Sequence, residues 1–152
     1  SNGAVVSNKP EREHNERVNS DGAGGIICIF EQQNSSTFYW EIWAQRIGPN
    51  GTMLWTPGGF PISNVATNFL NPRIQSDGKG GVIITWQDLR NGLDYDVYGQ
   101  RIDHNGNLKW GPSGKLLCTA NGIQNNPKID PDSLTGGAVI SWIDKRKHTG
   151  RR

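Results

Sequence analysis

Cysteine is scarce in this chain: Cys28 and Cys118 are the two among 152 residues. Two thiols cannot build a disulfide framework, and no spacing rule joins these. Long apolar runs are missing as well. No stretch of eighteen apolar residues occurs, so no spanning helix and no membrane insertion are expected. The first residues hold no basic segment followed by an apolar core and a small-residue cleavage site, so this form carries no recognisable secretory leader; a mature or excised chain would have lost one. Nor does one sign of charge dominate. A formal +2 with acids and bases interspersed provides no broad field for nucleic acid. The basic stretch 145–152 reads as a solvated loop after a strand, and the mixed stretch 9–17 as a solvated connection.

Catalytic constellations are also absent. H-E-x-x-H and C-x-x-C do not occur. His14, His104 and His148 fall in predicted connections, with no paired serine or cysteine nucleophile that the sequence identifies. No catalytic residue, metal or cofactor is expected.

What the chain does have is 20 Gly, 8 Pro and 6 Trp with 34% hydrophobic residues, a turn-rich and aromatic-rich composition that favours all-β structure. It also repeats. Arg17-Val18-Asn19-Ser20-Asp21-Gly22-Ala23-Gly24-Gly25 returns fifty-six residues later as Arg73-Ile74-Gln75-Ser76-Asp77-Gly78-Lys79-Gly80-Gly81, and a third copy starts at Lys128-Ile129-Asp130. Trp86-Gln87-Asp88-Leu89-Arg90 returns as Trp142-Ile143-Asp144-Lys145-Arg146. Trp43-Ala44-Gln45-Arg46-Ile47, then Asn50-Gly51 and Trp55, return as Tyr98-Gly99-Gln100-Arg101-Ile102, Asn105-Gly106 and Trp110. A period between fifty and sixty residues is the mark of a propeller or another stacked array. The units read as the end of a preceding blade over 1–14, whole blades over 15–70 and 71–126, and the first half of a further blade over 127–152.

One unit in order predicts four strands. A short one over 73–76 follows Asn71-Pro72, where proline suits the start of an edge strand. Asp77-Gly78-Lys79-Gly80-Gly81 makes a tight reversal. The second strand, 82–86, is an unbroken β-branched and aromatic run, which requires both faces to be covered. The third spans 95–102, Asn105-Gly106 signals a hairpin, and the fourth starts at 107–110, with Leu116-Leu117-Cys118 as an outer extension. Cys28 stands where Ile84 stands and reads as a small buried hydrophobe. The expected architecture is an all-β, β-propeller-like array of four-stranded antiparallel blades, incomplete within this chain.

The residues Asp77, Gly78, Gly80, Gly81, Trp86, Asp88, Arg90, Asp96, Tyr98, Gln100 and Arg101 resemble the D-G-x-G-G, W-x-D-x-R and D-x-Y-x-Q-R pattern of blade repeats in secreted and cell-surface bacterial β-propellers. That resemblance covers nearly the whole chain. It implies an exported or cell-surface location and a scaffold in a larger protein, and it names no activity. The first copy departs from the pattern, with Phe30, Gln32 and Asn34 where Trp86, Asp88 and Arg90 stand.

Recurring charged residues have two readings. Asp88, Arg90, Asp96 and Arg101 could bind sugar hydroxyls or acidic groups, or could pair with one another and with turn backbone. Recurrence in successive copies favours the second, since a binding site rarely needs every blade alike. Asp21, Asp77 and Asp132 supply one carboxylate per turn, too few for calcium, and read as turn residues. Phe38 and Tyr39, with Asn34, Ser35, Ser36 and Thr37, lie in a loop that differs between copies and are the candidates for ligand contact.

The expected function is a non-catalytic binding or assembly module mediating protein–protein contact. The alternative is a carbohydrate-binding, lectin-like propeller, or part of a glycosidase whose active site lies outside this segment. Ser76-x-Gly78 with Trp86 faintly resembles a sialidase turn motif, but the spacing is wrong, and hydrolysis requires two carboxylates facing one bond or a tyrosine nucleophile with its base. A protein partner, or further copies of the chain, is expected to complete the blades.

Overall fold

The computed structural model describes residues 6–7, 13–118, 120–132 and 137–146. Among these there is no helix, and ten strands form three antiparallel sheets. The first sheet runs in order through β1 (Glu13–Ser20), β2 (Ile26–Gln33), β3 (Trp40–Ile47) and β4 (Phe60–Pro61). The second repeats it with β5 (Phe69–Ser76), β6 (Val82–Asp88), β7 (Asp96–Ile102) and β8 (Lys115–Leu116). The third pairs β9 (Ile123–Asp132) with β10 (Gly137–Lys145).

Each Asp-Gly-x-Gly-Gly segment turns the first strand into the second. Gly22 and Gly24, like Gly78 and Gly80, take the left-handed φ that a side chain resists. The last glycine is needed for another reason. A Cβ on Gly25 would lie 2.3 Å from the Ile47 carbonyl oxygen, and one on Gly81 2.2 Å from that of Ile102. Both backbones must approach closely for the third strand to pass the turn.

First strands are longer than the sequence suggests. β5 starts at Phe69, not Arg73, because Asn71 adopts φ 52° and bulges the strand without ending it. Asn15 (φ 57°) and Asn126 (φ 52°) repeat the device. Asparagine tolerates this left-handed conformation better than most residues. Boundaries drawn at 14/15, 70/71 and 126/127 therefore fall inside β1, β5 and β9. His14 and residues 13–17, expected in a connection, belong to β1.

The fourth strand also differs from expectation. Residues 107–110 make only an isolated bridge, Ile102 to Leu108, and the strand is formed by Lys115–Leu116. The cause is Gln100, fully buried, whose Oε1 accepts from Trp110 N at 2.9 Å while its Nε2 donates to Gly111 O at 2.7 Å. A side chain takes the place of ladder partners there.

The second sheet packs between the other two, β5 meeting β1 and β3, and β9 lying across β5, β6 and β7. Every residue of β6 is buried, as its continuous apolar run requires. One core joins Ile27, Ile29 and Ile42 of the first sheet to Phe69, Val82, Ile84 and Trp86 of the second. Burying each such side chain stabilises the fold by about 1.5–3 kcal/mol. Both cysteines are free. Cys28 is buried, donates to Gln45 O at 3.4 Å, and its thiol is pushed up to about 11 by burial.

Candidate functional site

Antiparallel order places the β1–β2 and β3–β4 turns at one end of each sheet and the β2–β3 loop at the other. The turn end is nearly identical in the two four-stranded sheets. Asp21 Oδ1 accepts from Ala23 N and Gly25 N, both at 2.8 Å, and Oδ2 accepts from Arg46 Nε at 3.0 Å and Nη2 at 2.8 Å. Asp77 does the same with Lys79 N and Gly81 N at 2.8 Å and with Arg101 at 3.0 and 2.9 Å. Burial alone would raise the Asp21 carboxyl; its backbone donors and Arg46 outweigh that and hold it below 3.8. Gln45 and Gln100, both fully buried, anchor the turn that follows. The Arg and Gln side chains also tie sheets together: Arg46 Nη1 donates to His104 O at 2.9 Å, and Gln100 Nε2 to Ile62 O at 3.3 Å.

Trp86, Asp88 and Arg90 form one cluster. Asp88 Oδ2 accepts from Trp86 Nε1 at 2.9 Å and from Arg90 Nη2, and Oδ1 accepts from Arg90 N at 2.9 Å. The Arg90 guanidinium lies 3.7 Å over the Tyr98 ring. Asp96, paired in register with Asp88, is raised above 3.8 by burial first, then by Asp88 and Asp94. Asn91 Nδ2 donates to Asp96 Oδ2 at 3.0 Å, and its Oδ1 accepts from Leu93 N and Asp94 N.

In the first sheet this loop role falls to Asn34. Its Oδ1 accepts from Ser36 N at 2.9 Å and Thr37 N at 3.0 Å, while its Nδ2 donates to Glu41 Oε1 at 2.8 Å. Counting residues aligns Asn34 with Arg90, but the bonding makes it the counterpart of Asn91. Between the equivalent register pairs, Gln32 with Glu41 and Asp88 with Asp96, the first sheet holds one residue more than the second, so a fixed offset could not find this. Asn91 and Asn34 share one signal, an amide followed two residues on by a backbone donor.

Of the candidate contact residues, Asn34 is consumed by the turn, where Ser36 and Thr37 donate their backbone N–H groups to its Oδ1. Phe38 and Tyr39 keep their side chains at the surface, with Phe38 70% and Tyr39 40% exposed. Phe38 also has φ 60°, held by Phe38 N to Asn34 O at 2.8 Å and Asn34 N to Tyr39 O at 2.9 Å. A bulky residue rarely occupies that region, and here the turn's own hydrogen bonds hold it. Next to it, Trp40 stacks on His14 at 4.0 Å, and His14 Nδ1 lies 3.1 Å from Glu31 Oε2. The second sheet offers a cleft of about 210 Å³ at the same end, walled by Asn91, Leu93, Asp94, Asp96, Asn121 and Gly122.

Among the described residues, no three His, Cys, Asp or Glu side chains converge as a metal site would need. Arg146 N and Nε both donate to Asp144, as Arg90 does to Asp88, and the rest of the basic stretch, 147–152, lies outside the described residues. No family model, curated protein or solved structure matches this chain.

Proposed function

We propose that this chain is a non-catalytic binding or assembly module, a β-propeller-like stretch of four-stranded blades in an exported or cell-surface protein, and that it mediates protein–protein contact. The observation that carries this reading is the split between the two ends of each sheet. Recurring charged residues at the turn end are spent on internal hydrogen bonds, whereas the loop end presents Phe38 and Tyr39 in the first sheet and Leu93 in the second. A rigid frame with differing apolar loop tips suits recognition of a protein surface.

A photo-crosslinking amino acid at position 38, used on the chain in its native cellular or surface context, tests the proposal. A polypeptide adduct at position 38, lost when Tyr39 is also changed to Ala, supports it. A second reading, glycan binding, is favoured by the cleft beside Asn91 and Asp96, which sets amides and carboxylates against exposed Leu93. Selectivity on a glycan array, abolished by Phe38→Ala or Asp96→Ala and with no polypeptide adduct, would replace the first reading with this one. Hydrolysis of a glycoside by the isolated chain would sink both.

A further inference from the structure

Four exposed apolar side chains occupy positions that the repeat buries elsewhere. On β10, Val139 is 61% and Ile143 50% exposed. One period earlier the same positions are Ile83 and Gln87 of β6, each 5% exposed and covered by β9, whose Asn126 N donates to Gln87 Oε1 at 3.2 Å. At the other end, Val18 is 61% and Ile26 38% exposed. Their counterparts are Ile74, packed on the core, and Val82, fully buried. Strand register confirms the match: Val18 opposes Cys28, Ile74 opposes Ile84 and Ile129 opposes Ile140.

The exposed pairs are therefore two halves of a contact already made twice within the chain, between the first and second sheets and between the second and third. The geometry points to a second copy of this chain as the occupant: the outer face of β10 in one copy receives the β1–β2 face of the next. Such a head-to-tail contact is heterologous and builds a ring or a filament according to its rotation. The inference rests on the reading of the chain as a protein-contact array, and it concerns the sheet faces, not the loop tips.

Sedimentation velocity on the 152-residue chain decides it. The expected result is a mass at least twice 16.8 kDa that rises with concentration. Val139→Lys with Ile143→Lys reduces it to the monomer, and so does Val18→Lys with Ile26→Lys. Mixing these two variants restores a dimer and nothing larger, because each keeps one intact face. Circular dichroism matching the parent shows that the variants fold; if lysine unfolds either, threonine at the same positions takes its place. A folded parent that stays monomeric at every concentration overturns the proposal. So does loss of association in one variant but not the other, the mark of a like-with-like contact. A monomer that still gives the position-38 adduct discards this inference and keeps the wider reading.

Discussion

The first and second sheets use one backbone plan, with bonding that matches at the turn end and differs at the loop end. Asp21, Gln45 and Arg46 reproduce Asp77, Gln100 and Arg101 in partners as well as position. At the loop end the aromatic pair changes strands: Trp86 opposes Tyr98 in the second sheet, Phe30 opposes Trp43 in the first. The carboxylate moves with the indole. Trp86 Nε1 donates to Asp88 Oδ2 on its own strand, and Trp43 Nε1 donates to Glu41 Oε2 on its own. What is kept is an indole bonded to a carboxylate two residues away, not a residue at a number. The turn end thus fixes the frame, and the loop end tolerates rearrangement.

The largest expected asymmetry follows from that exchange. Trp86 is fully buried against Phe69 and Tyr98, with ring centroids 5.6 and 6.4 Å away, whereas Trp43 is half-buried. Trp86→Ala should cost about 3–5 kcal/mol by urea denaturation. Trp43→Ala should cost about 1–2 kcal/mol, in line with partial burial. Equal losses would mean that the two indoles play the same part despite their places. The turn end predicts the opposite pattern. Asp21→Ala and Asp77→Ala each strand two backbone N–H groups and a partly buried arginine, so each should cost about 3 kcal/mol, with no difference between sheets. A gap of more than about 1 kcal/mol between them would end the claim that this network is the common frame.

Much of this was legible in the chain itself. The fifty-six-residue step found every Asp-Gly-x-Gly-Gly turn in the described residues and the second and third strands of both complete sheets, because backbone turns and β-branched runs are local signals. The first strands read short in the sequence because Asn71-Pro72 looks like a boundary, and only the observed φ shows a bulge that lets pairing continue on both sides. The fourth strand lies further along than the sequence suggests because Gln100 binds the backbone of residues ten and eleven positions ahead, a contact no local pattern announces. His14 reads as part of a connection because the stretch 9–17 mixes charges of both signs and looks solvated. Its stacking on Trp40, twenty-six residues away, depends on pairing of β1 with β2 and β2 with β3.

Loop conformation gives a smaller test. The second sheet turns through Gly92 at φ 72°, while the first places Phe38 at φ 60° in the corresponding loop. A left-handed non-glycine residue costs about 1–2 kcal/mol, partly offset for glycine by its freer unfolded chain. Phe38→Gly should therefore stabilise the chain by about 1 kcal/mol while removing the exposed ring. Thermal melts of this variant beside Gly92→Ala should move in opposite directions. If Phe38→Gly melts lower, the ring makes contacts that outweigh its backbone strain, and the loop is structural.

The smallest effect concerns Glu31, which stands where the second sheet has Gln87. Gln87 Oε1 accepts from Asn71 Nδ2 and from Asn126 N; Glu31 Oε2 accepts from Asn15 Nδ2 at 3.0 Å, and its buried Oε1 has no hydrogen-bond partner. Burial raises the Glu31 carboxyl above 4.5, against the opposing pull of Asn15, His14 and Arg17. An acid raised on folding is protonated in both states below 4.5; above that the unfolded chain ionises first and stability falls until the folded group ionises too. Glu31→Gln removes that fall. The variant should match the parent below pH 4.5 and exceed it at neutral pH, read from urea midpoints across pH. Asp21 and Asp103 act in the contrary sense, since both are held below 3.8 in the fold and give up stability as pH drops through their depressed values. A Glu31→Gln chain that is weaker at neutral pH would show that the His14 contact stabilises the charged form by more than its burial costs, and the first sheet would then owe part of its cohesion to an ion pair the second does without.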